Sequence, residues 1–150
     1  MSSVEEIKAL RDETGLSVMQ CKKALEEALG DKDKAMELLK AKGAEIAGKK
    51  GDRNLGAGTV ASYIHANGTV GAMVELLCET DFVGKNPEFQ QIAYDIAMHI
   101  SAMRPENVEE LLKQDFIKDT SKTIEDLING AVQKFGERTE IGRFTCFALN

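Results

Sequence analysis

The chain has no tryptophan, only two prolines and three cysteines, 5% aromatic residues, and no apolar run longer than a few residues. A bilayer-crossing helix needs about 20 consecutive apolar residues, so none is expected here. The first nine residues already carry Glu5, Glu6 and Lys8, where a secretory leader would have its apolar core. Cys21, Cys78 and Cys146 are odd in number and widely spaced, which argues against a disulfide scaffold and fits a reducing compartment. With 150 residues, 43% of them hydrophobic and 29% charged, the chain can build one or two small domains with a real core. A large multidomain enzyme is excluded.

Charge is unevenly distributed. Residues 1–53 balance eleven Lys/Arg against eleven Asp/Glu, so the rest of the chain carries the whole net charge of -6. An acidic second part argues against phosphate-backbone binding as the main task. The one basic run, Lys40, Lys42, Lys49, Lys50 and Arg53, is diluted by Glu45 and Asp52. It reads as a solvated helix end and linker, with contact to an acidic partner or RNA as the less favoured alternative.

Three helical stripes occupy the first fifty residues: Val4, Ile7 and Leu10; Val18, Cys21, Leu25, Ala28 and Leu29; and Ala35, Met36 and Leu39. Thr14-Gly15 closes the first helix, Ser17 caps the second, Gly30-Asp31 ends it and caps the third, and Gly43 stands where a left-handed helix end is expected. Short loops force the three helices into a compact bundle, too small to be more than marginal alone and suited to a docking module. From Ala44 the stretch GAEIAGKKGDRNLGAG reads as a short helix and then a linker. The expected division is therefore a helical bundle with its linker over residues 1–53 and a second domain over residues 54–150.

In that second part, TVASYIHA and TVGAMVELLCE flank Asn67-Gly68, the strongest two-residue hairpin signal. Val70, Ala72, Val74, Leu76 and Cys78 alternate onto one face, but Met73 and Leu77 populate the other, which leaves the main core face undecided. Asn86-Pro87 opens a helix carrying Phe89, Ile92, Ala93, Ile96, Ala97 and Ile100, and Arg104-Pro105 ends it. Val108 to Lys113 suits a short helix or a turn. Thr123 with Asp126 forms a capping box, and Ile124, Leu127, Ile128, Ala131 and Phe135 then face inward up to Gly136. The closing IGRFTCFAL is strand-like and pairs with the hairpin. Strands and helices in this order, without βαβ units, define an α+β fold on a small antiparallel three-stranded sheet packed with helices.

Candidate chemistry is sparse. GAGTVA, Gly56 to Ala61, satisfies a dinucleotide-binding pattern but precedes a strand instead of opening a helix. No phosphate-binding loop motif is present. Cys21, Cys78, Cys146, His65 and His99 lack the short paired spacing of a zinc site, so neither a metal nor any other cofactor is expected. Cys78 at an alternating strand position reads as a buried, inert thiol. Asn67-Gly68-Thr69 matches a glycosylation sequon but reads as a turn. The segment Glu79-Thr80-Asp81-Phe82-Val83 joins a strand end to a helix start and admits two arrangements. Composition alone favours Phe82 and Val83 folding onto the core with Asp81 capping a turn. The other is a rigid loop offering an aromatic wedge and a carboxylate to a partner's site.

Two segments carry a resemblance. LRDETGLSVMQCKKAL, Leu10 to Leu25, and ELLCETDFVGKN, Glu75 to Asn86, resemble the two signature segments of bacterial and organellar translation elongation factor Ts, and SYIHANGTVGAMVE, IAMHI and RFTCFAL are similar to that family as well. The resemblance covers nearly the whole chain in order. It implies a bundle similar to a ubiquitin-associated domain, and a guanine-nucleotide exchange factor without covalent chemistry, acting on elongation factor Tu in its GDP-bound and nucleotide-free states. It places such a protein in a bacterial cytoplasm or an organellar matrix or stroma.

The same resemblance implies that Asp81 and Phe82 intrude near the GTPase magnesium, with Thr80 and Val83 fixing the loop. Val18 and Met19 would be docking contacts helped by Lys22 or Lys23. Two departures stand out: Leu16-Ser17-Val18 replaces a more glycine-rich and methionine-rich stretch, and between Glu110 and Asp115 a long helical insertion is missing. A chain with one core unit then either contacts the GTPase less extensively or pairs with a second copy through its C-terminal strand. The competing functions are a non-catalytic adaptor or scaffold similar to a ubiquitin-associated domain and, less favoured, a small enzyme using Cys78 or His65.

Overall fold

The computed structural model describes residues 3–149; Met1, Ser2 and Asn150, at the ends of the two expected segments, lie outside the described residues. Three helices come first: α1 (Val4–Thr14), α2 (Val18–Glu27) and α3 (Lys32–Lys49). Ser3 and Ser17 close reciprocal capping boxes with Glu6 and Gln20, and Asp31 caps α3 through the Lys34 N–H. Such side chains satisfy backbone donors that the first helical turn leaves unpaired. Gly15 takes the left-handed conformation after α1, with φ 70°. Leu10, Leu16, Cys21, Leu25, Ala35 and Leu39 form one buried cluster among the three helices.

α3 does not stop at Gly43. It runs on to Lys49, absorbing the short helix expected after Ala44. The glycine serves close approach instead of a helix end: a Cβ there would lie 3.2 Å from the Asn129 carbonyl oxygen and 3.0 Å from the Gln133 side chain. This is where α3 meets α7 (Ile124–Phe135). One turn earlier Lys40 pairs with Asp126 at 3.0 Å. Burial pushes the Asp126 carboxyl up, but the Thr123 backbone N–H and the Lys40 ammonium outweigh it and hold the group below its usual range.

The sheet orders its strands β1-β2-β5, all antiparallel, from β1 (Ala57–Ile64), β2 (Val70–Cys78) and β5 (Glu140–Ala148). The β1–β2 turn is longer than the two-residue loop expected at Asn67-Gly68. The His65 N–H donates to the Val70 carbonyl, so residues 66–69 form the loop. Gly68 takes the left-handed position at φ 74°, and the Asn67 side chain accepts from the Thr69 N–H at 3.0 Å. A glycine there relieves the Cβ clash that left-handed backbone imposes.

The core face is decided by packing. Ala72, Val74, Leu76 and Cys78 are buried, while Met73 is exposed on the opposite side. Over the buried face lies α5 (Pro87–Met103), whose Phe89, Ala93, Ile96, Ala97 and Ile100 have no exposed surface. The Phe89 ring meets Phe135 of α7 edge-on, with centroids 5.7 Å apart. Fully burying one such side chain contributes about 1.5–3 kcal/mol. Arg104 ends α5 in the left-handed conformation, and Val108–Lys113 form a short helix, α6, and not a turn.

A second, two-stranded sheet was not expected: β3 (Asp115–Phe116) pairs with β4 (Asp119–Thr123). Its polar residues carry no alternating pattern. His99 of α5 fixes it from inside the core. The Ile117 N–H donates to His99 Nδ1 at 3.3 Å, which makes Nε2 the protonated nitrogen and donor to the Gln114 side chain at 2.9 Å. Burial lowers the pKa of this imidazole, consistent with the neutral tautomer those bonds require.

On the outer face the β2–β5 ladder shifts register between Val74 and Leu76. Glu75 fills the irregularity, accepting from the Arg143 backbone N–H at 2.7 Å and from its guanidinium at 2.9 and 3.0 Å. The guanidinium first, and then the backbone N–H, hold the Glu75 carboxyl down at about 2. Among the described residues no helix is long and apolar enough to cross a membrane.

Candidate interaction site

Cys78 ends β2 with a buried thiol that donates to the Thr80 carbonyl at 3.2 Å. Burial first, then the nearby Glu137 carboxylate, raises its pKa, so it is a poor nucleophile. Beyond it, the expected loop is helical: Asp81–Gly84 form one turn, α4, followed directly by the Asn86 cap of α5. Thr80, not Asp81, is the cap, and its hydroxyl accepts from the Val83 N–H at 3.3 Å. The Gly84 N–H reaches the Thr80 carbonyl at 3.1 Å and the Lys85 N–H the Asp81 carbonyl at 2.9 Å.

The turn divides its two apolar residues. Val83 is buried with 5% exposure, whereas Phe82 is 85% exposed. Neither of the two arrangements weighed for this segment holds complete: Val83 folds back as an anchor and Phe82 does not. Asp81 beside it is also exposed. The turn seats closely because Gly84 faces Gly58; a Cβ on Gly84 would lie 2.8 Å from the Gly58 carbonyl oxygen. Gly58 itself has φ 152° and would drive a Cβ into the Leu76 carbonyl.

The second group of candidates sits at the start of α2. Val18 and Met19 are 48% and 80% exposed immediately after the Ser17 cap. Lys22 and Lys23 follow on the same helix and are exposed, while Cys21 between these pairs is buried. Val83 anchors the first group in the sheet core and Cys21 anchors the second in the bundle core. The structure does not merge them into one cluster.

Sequence reading missed the residues that hold α4. After α7 the chain turns at Gly136, φ 74°, and Glu137 reaches back across the fold. Its carboxylate accepts from the Glu79 N–H at 3.1 Å, the Thr80 N–H at 3.0 Å and the Thr80 hydroxyl at 2.7 Å. Glu79 returns the contact by accepting from the Arg138 N–H at 2.5 Å. Only a left-handed glycine followed by charged residues marks this corner in the sequence. Nothing local connects it to a turn 57 residues earlier.

No group of three or more His, Cys, Asp or Glu is arranged to hold a metal ion among the described residues. Two shallow hollows lie on the outer sheet surface, one beside Glu75 and Leu77 and one beside Ile64, Met73 and Phe147, and neither includes α4. Fold and site together define a class: an α+β protein with an N-terminal three-helix bundle, presenting exposed apolar side chains at two capped helix starts.

Relatives specify the family. The family model for Elongation factor TS matches residues 79–150. An elongation factor Ts of Thermosipho melanesiensis is 38% identical over 194 alignment positions, covering 99% of this chain and 99% of its own length. One from Thermotoga maritima is 35% identical over 190 positions, with 98% and 96% covered. One from Trichlorobacter lovleyi is 43% identical over 145 residues covering 97% of this chain, which spans only 47% of that relative. The chain belongs to the elongation factor Ts family. Aligning its 150 residues over 194 positions leaves at least 44 positions of the Thermosipho protein without a counterpart here.

Proposed function

We propose that this chain is a guanine-nucleotide exchange factor for elongation factor Tu in translation elongation, acting by contact and without covalent chemistry. In this reading Val18 and Met19, with Lys22 and Lys23, dock the bundle on the GTPase. Asp81 and Phe82 enter near its magnesium, and Thr80 and Val83 hold them in place. The bundle over residues 1–53 and the core over residues 54–150 then divide the work between docking and intrusion.

The observation that carries the reading is Phe82. A large aromatic side chain is left 85% exposed on a turn whose neighbour Val83 is buried. Exposed aromatic anchors of this kind dominate binding energy where they meet a partner's pocket. The physical consequence follows from the metal in the GTPase. Magnesium bridges the nucleotide phosphates to the protein, so displacing it leaves phosphate charge uncompensated and weakens nucleotide binding. The factor binds the nucleotide-free GTPase more tightly than the loaded one. By reciprocity, incoming nucleotide expels the factor to the same degree.

The shortened core is completed in this reading by a second copy pairing through β5. That strand forms one edge of the sheet, and Phe147 and Leu149 stand exposed near its end. Size-exclusion chromatography with light scattering of the free chain tests this part; a monomer at high micromolar concentration overturns it.

GDP release from elongation factor Tu, with Phe82→Ala and Asp81→Ala compared with the parent, tests the whole. Phe82→Ala is expected to slow stimulated release about 30-fold, the effect of losing a 2 kcal/mol anchor, with Asp81→Ala weaker in the same direction. Phe82 is exposed, so its thermal midpoint should hardly move. Binding without any acceleration of release by the parent protein would leave the adaptor reading in its place.

A further inference from the structure

α4 is four residues long and cannot hold itself. Helix nucleation fixes several residues for one hydrogen bond, so an isolated turn of this length is unstable in water. Its geometry must come from outside. Three backbone or hydroxyl donors of Glu79 and Thr80 converge on the Glu137 carboxylate, and the Glu79 carboxylate accepts from the Arg138 N–H in return. The pattern is that of a capping box, in which each side chain satisfies the other's backbone, but it closes across the fold. Arg138 extends it, its guanidinium donating to the Arg53 carbonyl at 2.5 Å and to Glu140 at 3.0 Å.

The Thr80 hydroxyl gives this clasp its direction. A hydroxyl carries one proton and two lone pairs. An ionised Glu137 can only accept, so the 2.7 Å contact commits the Thr80 proton to it. The hydroxyl lone pairs are then left facing the Val83 N–H, which is the cap of α4. One carboxylate thus fixes the backbone entering the turn and the polarity of the group that starts it, two residues before Phe82.

We infer that Glu137 is a positioning residue for the Asp81–Phe82 turn, acting through Thr80 and not by touching the GTPase. The inference rests on the proposed role of that turn in nucleotide exchange. Preorganisation of this kind changes how effectively a contact is used once the complex forms, more than whether it forms. Docking through Val18 and Met19 does not depend on it.

The test is stimulated GDP release from elongation factor Tu, resolved into maximal rate and half-saturating concentration, for Glu137→Ala, Glu137→Gln and Phe82→Ala. Glu137→Ala is expected to lower the maximal rate about tenfold with a much smaller change in half-saturation. Glu137→Gln keeps an amide oxygen that accepts from both backbone N–H groups but turns an NH2 donor toward the Thr80 hydroxyl, so its maximal rate is expected to fall between those of Glu137→Ala and the parent. Loss in Phe82→Ala together with a parent-like maximal rate in Glu137→Ala overturns the clasp but leaves the proposed function standing. A parent-like rate in Phe82→Ala removes the role of the turn itself and the clasp with it. Should Glu137→Ala not fold, Glu137→Asp takes its place: its carboxylate is one methylene shorter and cannot reach the Glu79 and Thr80 donors together, so a lowered maximal rate is expected and a parent-like rate overturns the inference.

Discussion

The starts of α2 and α4 are built alike and held differently. Each opens on a hydroxyl cap, Ser17 or Thr80, then presents exposed residues, Val18 and Met19 or Asp81 and Phe82. Each then sinks an anchor, Cys21 or Val83, into a core. Ser17 is closed by Gln20 on its own helix, which accepts from the Ser17 N–H at 3.0 Å while donating its N–H to the Ser17 hydroxyl at 3.2 Å. Thr80 has no such partner within α4 and takes Glu137, 57 residues later in the chain. A ten-residue helix with a local box can form its first turn wherever the bundle forms. A four-residue turn exists only while the corner after α7 is in place. Local capping suits a surface that has only to be displayed. Tertiary clasping suits one whose direction matters.

Breaking the seat of α4 should give the largest effect. In Gly84→Ala the new Cβ meets the Gly58 carbonyl oxygen at 2.8 Å, backbone against backbone, so the turn must shift away from β1. We expect overpacking to cost about 1–3 kcal/mol in thermal unfolding and to reduce stimulated GDP release at least as much as Phe82→Ala. A variant with parent-like exchange would mean that the turn need not be held at all, and the contrast with α2 would lose its meaning.

Next in size is the exposed pair on α2. Met19→Ala removes a side chain that is 80% exposed, so stability should change by no more than about 0.5 kcal/mol. If this surface only docks, half-saturation in the exchange assay rises several-fold while the maximal rate stays near that of the parent. A fall in maximal rate with unchanged half-saturation would show that both helix starts act in the exchange step.

Removing the two caps tests the difference in how they are held. Ser17→Ala should cost about 1 kcal/mol, the usual value of a helix cap. Its effect on exchange should appear only in half-saturation. Thr80→Val removes a comparable cap and also the donor to Glu137, so its loss should extend to the maximal rate. Amide hydrogen exchange at Gln20 and Val83, the two capped N–H groups, measures both on one scale. In Glu137→Ala, which leaves both caps in place, protection should fall at Val83 and not at Gln20, and unchanged protection at Val83 would contradict the view that its cap depends on tertiary contacts.

The same distinction explains what the sequence disclosed. The caps at Ser17, Asp31, Asn86 and Thr123 act within three residues, and each stands where the local pattern places it. The apolar spacing of Phe89 to Ile100 and the alternation of Ala72 to Cys78 likewise announce the core, although packing had to decide which sheet face it fills. Gly43 misled because a glycine near a helix end and a glycine beneath a crossing helix look alike in one dimension. The β3–β4 hairpin was silent because its Asp, Ser, Lys and Thr residues bury almost nothing and its fixed point is His99 in a distant helix. The signature around Phe82 was legible. The Glu137 corner that holds it was not, since no local period or spacing links residues 80 and 137.

The smallest effect expected comes from the other end of α2. Leu29 follows the helix with φ 54° and is 94% exposed, a left-handed leucine on the surface. For a residue with a Cβ this conformation costs about 1–2 kcal/mol, and glycine avoids it at some loss of chain entropy in the unfolded state. Leu29→Gly should therefore stabilise the bundle by about 0.5–1 kcal/mol, raising a thermal midpoint by a few degrees. The bundle owes its first turns to local boxes, so this gain should leave maximal exchange rate and half-saturation unchanged. A stabilised variant with impaired half-saturation would add Leu29 to the docking surface, and the bundle would then carry strain for the sake of contact, as the sheet domain carries an exposed phenylalanine.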